Sequence, residues 1–372
     1  MSVFLPELTV TGVITELASI YANIINKKQE LKSIPSPFLW GPPGIGKSDG
    51  VLELATMLED MTGKRVSVTE IRLLLFSPID LRGVPVADVN REFTDWLKPR
   101  ILDLSASDEV INLLFLDELS AAPSSVQAAA YQLTLNRAIG EHKLPDNTIV
   151  IGAGNRTTDR SVAYKMPAAL ANRMMHFEIK ADYRSWVNWA IANGDINSLV
   201  LGYLSYDSSK LYVEERSIDE VAFPSPRSWM FVSNILNAMD ASDNIENYHS
   251  VIASCIGMGT AMEFIGWSRV LKDLPDAEKI ASGMPCKCPK TPDAIYALVS
   301  VMSSYVTGRE KHEKTGISME ELENLCAFCN QMPADYGLCF YQNILAAGDV
   351  RMKLMKVQEF SKWSKKHNLS VY

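Results

Sequence analysis

No apolar run in this sequence approaches the roughly 20 residues that a membrane-spanning helix needs; runs such as Ile111 to Leu116 end after a handful of residues. The opening residues, Met1-Ser-Val-Phe-Leu-Pro, have neither the basic patch nor the apolar core of a secretory signal. A cytoplasmic location without membrane attachment is therefore the expectation. Cysteine is missing until Cys255, and all six lie in the last third, at 255, 286, 288, 326, 329 and 339. A cytosolic chain keeps such thiols reduced. Cys286-Lys-Cys288 and Cys326-Ala-Phe-Cys329 offer four thiolates, but the first pair has one intervening residue where zinc sites have two to four, and no other metal-type ligand is near in sequence. Structural thiols are expected there. An excess of positive charge is also lacking. The net charge of −8 argues against a broad nucleic-acid-coating surface, although it leaves room for a local basic channel. Internal repeats and low-complexity tails are absent. What is present is the 47% hydrophobic and 22% charged content of an ordinary globular protein, in a chain of 372 residues that can bury two or three domains.

Glu7 to Gln29 carries a helical apolar rhythm (Leu8, Val10, Val13, Ile14, Leu17, Ile20, Tyr21, Ile24, Ile25), and Ile34-Pro-Ser-Pro stops it. Phe38-Leu-Trp-Gly reads as a short buried strand, followed by a Gly/Pro loop and a helix from Lys47 to about Met61. Further strands are expected at Val66 to Leu73, Ile111 to Leu116, Thr148 to Ala153 and Met174 to Ile179, with a helix over Pro123 to Arg137. Five short strands alternating with helices predict an α/β fold: a five-stranded parallel sheet between two helical layers. Beyond Ala181 the strand signals fade. Residues 182–240 and 241–372 read as helical, with breaks at Phe223-Pro-Ser-Pro226 and at 283–292.

The chemistry concentrates at strand ends. Gly41-Pro42-Pro43-Gly44-Ile45-Gly46-Lys47-Ser48 satisfies the phosphate-loop pattern, between a strand and a helix. Its glycines let backbone N–H groups turn inward around phosphates, Lys47 can reach the β- and γ-phosphates of ATP, and the Ser48 hydroxyl can ligate Mg²⁺ at the positive end of the following helix. Leu113-Leu-Phe-Leu116 delivers Asp117 and Glu118 to a strand's carboxyl end. Asp117 there would hold the Mg²⁺ water shell, and Glu118 would orient or deprotonate the attacking water. An acidic residue decorating a helix start is the plainer reading of Glu118 taken alone. The strand Ile149-Val-Ile-Gly-Ala-Gly ends in Asn155, placed to hold that water beside the γ-phosphate, or alternatively an ordinary turn asparagine. Arg173 precedes the last strand. Arg227 sits at the start of a helix, where the dipole disfavours it and an anion such as phosphate would stabilise it. A surface ion pair is the competing account of either arginine.

Taken in this order, the motifs resemble the AAA+ ATPases, specifically the MoxR-like branch related to magnesium chelatase, dynein and midasin modules. The resemblance runs from about residue 8 to residue 240. It rests on the phosphate loop, Asp117-Glu118, Ala153-Gly-Asn155, Ala168-Ala-Leu-Ala-Asn-Arg173 and Pro226-Arg227. It implies an ATPase core over 1–181, a helical lid over 182–240 and a helical C-terminal region, a possible partner-docking module, over 241–372. By the same resemblance Asn155 is a sensor of the γ-phosphate, Arg227 a second sensor from the lid, and Arg173 a finger given to a neighbouring subunit, with Arg156 and Arg160 as rivals for that role. A finger acting in trans implies a homo-oligomeric ring, and the resemblance implies a hexamer. Two hairpins, Ser77 to Trp96 and Arg137 to Asp146 turning at Gly140, match insertions that this branch carries toward its pore; packed surface loops are the plainer alternative.

Three functions fit such a chain. The first is a chaperone-like ATPase that remodels or activates a protein client, often with a partner carrying a von Willebrand A domain. The second is a nucleic-acid motor or restriction-system NTPase, which the acidic balance disfavours. The third is a nucleotide-gated assembly protein without turnover, against which the full set of catalytic residues speaks.

Overall fold

A computed structural model describes residues 7–156, 164, 166, 171–193, 196–213, 221–240, 243–270, 274–312, 316–345 and 350–367. The chain divides into two compact units, Met1–Ala181 and Asp182–Tyr372.

The first unit is built on a parallel sheet of six strands: β1 (Glu7–Leu8), β2 (Ser36–Trp40), β3 (Arg65–Arg72), β6 (Val110–Asp117), β9 (Thr148–Gly154) and β10 (Met174–Ile179), ordered β1-β10-β2-β9-β6-β3. The remaining strands form two antiparallel hairpins, β4 (Val84–Ala87) with β5 (Thr94–Leu97) and β7 (Ala138–Ile139) with β8 (His142–Lys143). The sheet therefore has one strand more than the five expected. The extra strand lies where helix α1 was expected to begin. α1 spans Val10–Asn26, and Thr9 caps it by accepting from the Gly12 amide at 3.0 Å, so Glu7 and Leu8 are free to extend along β10. Two residues are too few to show an alternating pattern, and Leu8 merged into the helical rhythm.

β2 and β9 form the middle of the sheet, and β9 is buried along its whole length. Leu114, Leu116, Val150 and Phe38 pack with Val126, Ala130 and Leu133 of α4 (Ser124–Leu135). Alternate residues such as Leu113, Phe115 and Ile151 then point to the opposite face, and all three are buried. α1 packs along α2 (Lys47–Thr62), which in turn meets β3 and β6. A parallel sheet buried on both faces explains the continuous apolar runs in the sequence. α2 starts at Gly46, whose φ of +97° an L side chain rarely adopts, and stops at the left-handed Gly63. A short helix, α3 (Pro78–Arg82), is capped reciprocally by Ser77 and Asp80 and leads into the first hairpin.

The described part of the second unit is helical, with no strand. α5 (Tyr183–Asn193), α6 (Ser198–Tyr206), α7 (Pro226–Asn237), α8 (His249–Ile256) and α9 (Met258–Val270) surround one core containing Trp186, Tyr203, Trp229, Phe264 and Trp267. A second core gathers α10 (Ala277–Ala281), α11 (Pro292–His312), α12 (Met319–Cys329), α13 (Ala334–Leu345), α14 (Arg351–Leu354) and α15 (Gln358–Lys366) around Leu298, Leu325, Phe340 and Trp363. The first of these cores runs on past residue 240 through Trp267 and takes in Ala297 of α11.

Candidate functional site

The carboxyl ends of β2, β6 and β9 lie side by side, and each carries its polar residues into the loop that follows. After β2, Lys47 folds back over its own loop. Its ammonium donates to the carbonyls of Gly41 at 2.5 Å and Pro42 at 3.0 Å, and to Asn155 Oδ1 at 3.1 Å. The loop thus holds its lysine at the mouth of α2, whose first-turn amides have no partner within the helix and favour an anion. The Ser48 hydroxyl donates to Asp117 Oδ2 at 3.2 Å. Hydroxyl and carboxylate oxygens converging on one point suit a small hard cation that keeps most of its own water, which is the preference of Mg²⁺. Ser48 would hold it directly and Asp117 through water.

Glu118 has a φ of +56°, the left-handed region that non-glycine residues avoid. The turn is pinned on both sides. Asp117 Oδ1 accepts from the Glu118 amide at 2.8 Å, and the Leu119 amide donates to Ala153 of β9 at 2.9 Å. α4 begins only at Ser124, so Glu118 does not decorate a helix start.

Asn155 is no simple turn residue, since its side chain serves Lys47. Its backbone is clamped by Ser120, whose hydroxyl donates to the Asn155 carbonyl and accepts from the Asn155 amide, both at 2.9 Å. Gly154 permits this approach: a Cβ there would lie 2.5 Å from Ser120 Oγ. Lys47, Ser48, Asp117, Glu118 and Asn155 are thereby gathered at one end of the sheet.

The arginines separate. Arg156 forms a largely buried ion pair with Glu178 of β10 in the same chain. Arg173 is exposed just before β10, and Arg227 is exposed in the first turn of α7 in the second unit; among the described residues neither has a hydrogen-bond or ion-pair partner. Arg160 and the stretch Ala168–Leu170 lie outside the described residues.

Two residues at this site went unread in the sequence. Ser120 is one. The other is Arg72, the last residue of β3, which stands in register with Asp117. It donates to Glu70 at 2.7 Å; that bond and the charge of Glu70 raise its pKa, with smaller contributions from Asp117 and Glu118. Its only sequence signal is a charged residue closing an apolar strand, which says nothing about which strand lies beside it.

Five of the six thiols lie in or against the second helical core. Cys326 and Cys329 are buried; burial pushes the first up to about 12 and the second well above its ordinary value. No group of three or more His, Cys, Asp or Glu among the described residues is placed to hold a metal ion. No described helix is long and apolar enough to cross a membrane.

No family model matches the sequence, and no curated protein matches it. Solved structures similar to it include Aeropyrum pernix ORC2 in ADPNP–ADP complexes (15% identity, TM-score 0.40, 76% of each chain) and a mutant of Thermotoga maritima RuvB (13%, 0.37, 75% of this chain and 79% of that one). A third is C. elegans PCH-2 (14%, 0.35, 69% of this chain and 67% of that one). At these identities and scores, none of the likenesses assigns an activity to this chain.

Proposed function

We propose that the chain is an Mg²⁺-dependent ATPase of the AAA+ type, of the MoxR-like branch, that works in the cytoplasm as a homo-oligomeric, hexameric ring and remodels or activates a protein client. The observation that carries this reading is the junction of Lys47, Asn155, Ser48, Asp117 and the strained Glu118 at the carboxyl ends of three adjacent strands.

In this reading the loop from Gly41 to Ser48 takes the phosphates, with Lys47 leaving the Gly41 and Pro42 carbonyls for the β- and γ-phosphates. Ser48 and Asp117 hold Mg²⁺, which supplies neutralisation of the charge that develops during phosphoryl transfer. Glu118 takes the proton of the attacking water, and Asn155 fixes that water against the γ-phosphate. Arg173 is the finger offered to the next subunit. Its exposure and lack of partners favour it over Arg156, which Glu178 already occupies. Arg227, unpaired in the first turn of its helix, is the lid's sensor. We take the lid to begin at 182 and to carry Arg227, with the helical C-terminal region after it; the first helical core runs past residue 240 and includes Ala297.

The protein client is supported by the first hairpin. Its tip is ordered by Asp88, which accepts from the amides of Glu92 at 2.7 Å and Phe93 at 3.0 Å, yet Val89 is 100% and Phe93 72% exposed. Apolar side chains displayed on a rigid tip suit a polypeptide better than a nucleic acid, and the net charge of −8 points the same way. A partner with a von Willebrand A domain is the candidate that the family resemblance suggests.

The test is the Glu118→Gln variant. ATP turnover falls by at least about 10²-fold while ATP binding stays within a few-fold of wild type, because Gln keeps the shape and loses the base. Turnover at the wild-type rate in that variant would sink the assignment.

A further inference from the structure

His176 of β10 uses both ring nitrogens. The Trp40 indole N–H donates to Nδ1 at 2.9 Å, so Nδ1 carries a lone pair and the proton belongs on Nε2. Nε2 then donates to the Ala171 carbonyl at 2.7 Å. The ring is stacked near Trp40, with centroids 6.1 Å apart at 27°, and Trp40 rests on Phe38 at 4.4 Å. Each end of this bridge reaches a functional segment. Trp40 is the last residue of β2 and leads directly into Gly41, whose carbonyl Lys47 holds. Ala171 stands two residues before Arg173. Arg173 is thus bracketed: on one side by Met174, which enters the sheet opposite Ser36, and on the other by the carbonyl that His176 grips.

We propose that His176 is a positioning residue that ties the Arg173 segment to the phosphate loop of its own chain, so that nucleotide in one site sets the arginine offered to the next. When ATP draws Lys47 away from the Gly41 carbonyl, the loop's first residue is released, and Trp40 passes the change through the imidazole to Ala171. This rests on Arg173 being the finger.

The experiment uses full-length chains, alone and co-assembled. His176→Phe keeps the ring and loses both hydrogen bonds; its turnover falls about 10- to 100-fold, the scale of a reacting group misplaced by an ångström, while ATP affinity stays within about twofold. Co-assembly with Glu118→Gln chains, which are inactive but present a native Arg173, restores most of the turnover per His176→Phe chain. Arg173→Ala behaves in the same way. Trp40→Phe, which keeps an aromatic ring beside Phe38 and loses the N–H donor, shows the same loss and recovery if His176→Phe fails to fold. His176→Gln, which can still donate toward Ala171, keeps at least about half of the turnover. Wild-type turnover in both His176→Phe and Trp40→Phe overturns the proposal. So does a loss that Glu118→Gln chains do not repair when they do repair Arg173→Ala. Wild-type turnover in Arg173→Ala overturns the finger assignment itself, a separate result.

Discussion

Glu118 shares its positive φ with only three other non-glycine residues among the described ones, Lys28, Arg91 and Arg137. Such a conformation costs roughly 1–2 kcal/mol, and it persists because neighbours over-determine it. The Asp117 carboxylate and the carbonyl of Ala153 take the amides on either side of the turn, and the next residue along, Ser120, clamps Asn155. The proposed base, metal ligand and water-holding amide are therefore set by one short run, 117–120. Ser120→Ala tests this at the scale of a single oxygen. Losing it leaves two backbone groups of Asn155 without their partner, a cost of about 1–3 kcal/mol in stability. Its kcat for ATP falls about tenfold with KM within about twofold, since the amide drifts while the phosphate loop is untouched. Thermal unfolding and steady-state kinetics check the two numbers separately.

At the scale of elements, the sequence was informative wherever the signal is local. A phosphate loop must follow a strand and open a helix, so β2, the loop and α2 could be placed from Phe38 to Met61 without knowing any neighbour. Strand order is not local. That β3 lies beside β6, which puts Arg72 opposite Asp117, depends on which apolar faces meet, and every buried strand looks alike in that respect. Ser120 escaped for the same reason, because its partner Asn155 comes from another strand. The helical region was legible as helices but not as cores: apolar periodicity marks the face to be buried and does not name what buries it, so that Ala297 joins the core of Tyr203 and Trp267 is not a local signal. The cysteines make the point chemically. Their spacing is irregular for zinc and gives no location; in place, Cys326 and Cys329 lie on the buried side of α12. With burial pushing the Cys326 thiol well up from its ordinary value, little thiolate is present there at pH 8. Iodoacetamide on the native protein at that pH leaves Cys326 and Cys329 unmodified by peptide mass mapping, and both react in denaturant. Rapid labelling of either in the folded protein would contradict the packing.

For the whole molecule, the residues that bind ATP and those that complete its hydrolysis are proposed to come from different chains. Lys47, Ser48, Asp117, Glu118 and Asn155 converge within one unit, whereas Arg173 stands exposed, with no side-chain partner among the described residues. Binding and turnover should then separate by assembly state. A finger of this kind is worth about 10³–10⁵ in rate, so an isolated chain should load ATP and scarcely turn it over. The most direct measurement is ATP turnover per chain across a dilution series, with the assembled fraction followed in parallel by sedimentation. The account predicts that turnover per chain rises in proportion to the assembled fraction while each chain, assembled or not, binds ATP. Turnover per chain that stays constant from monomer to assembly would contradict it.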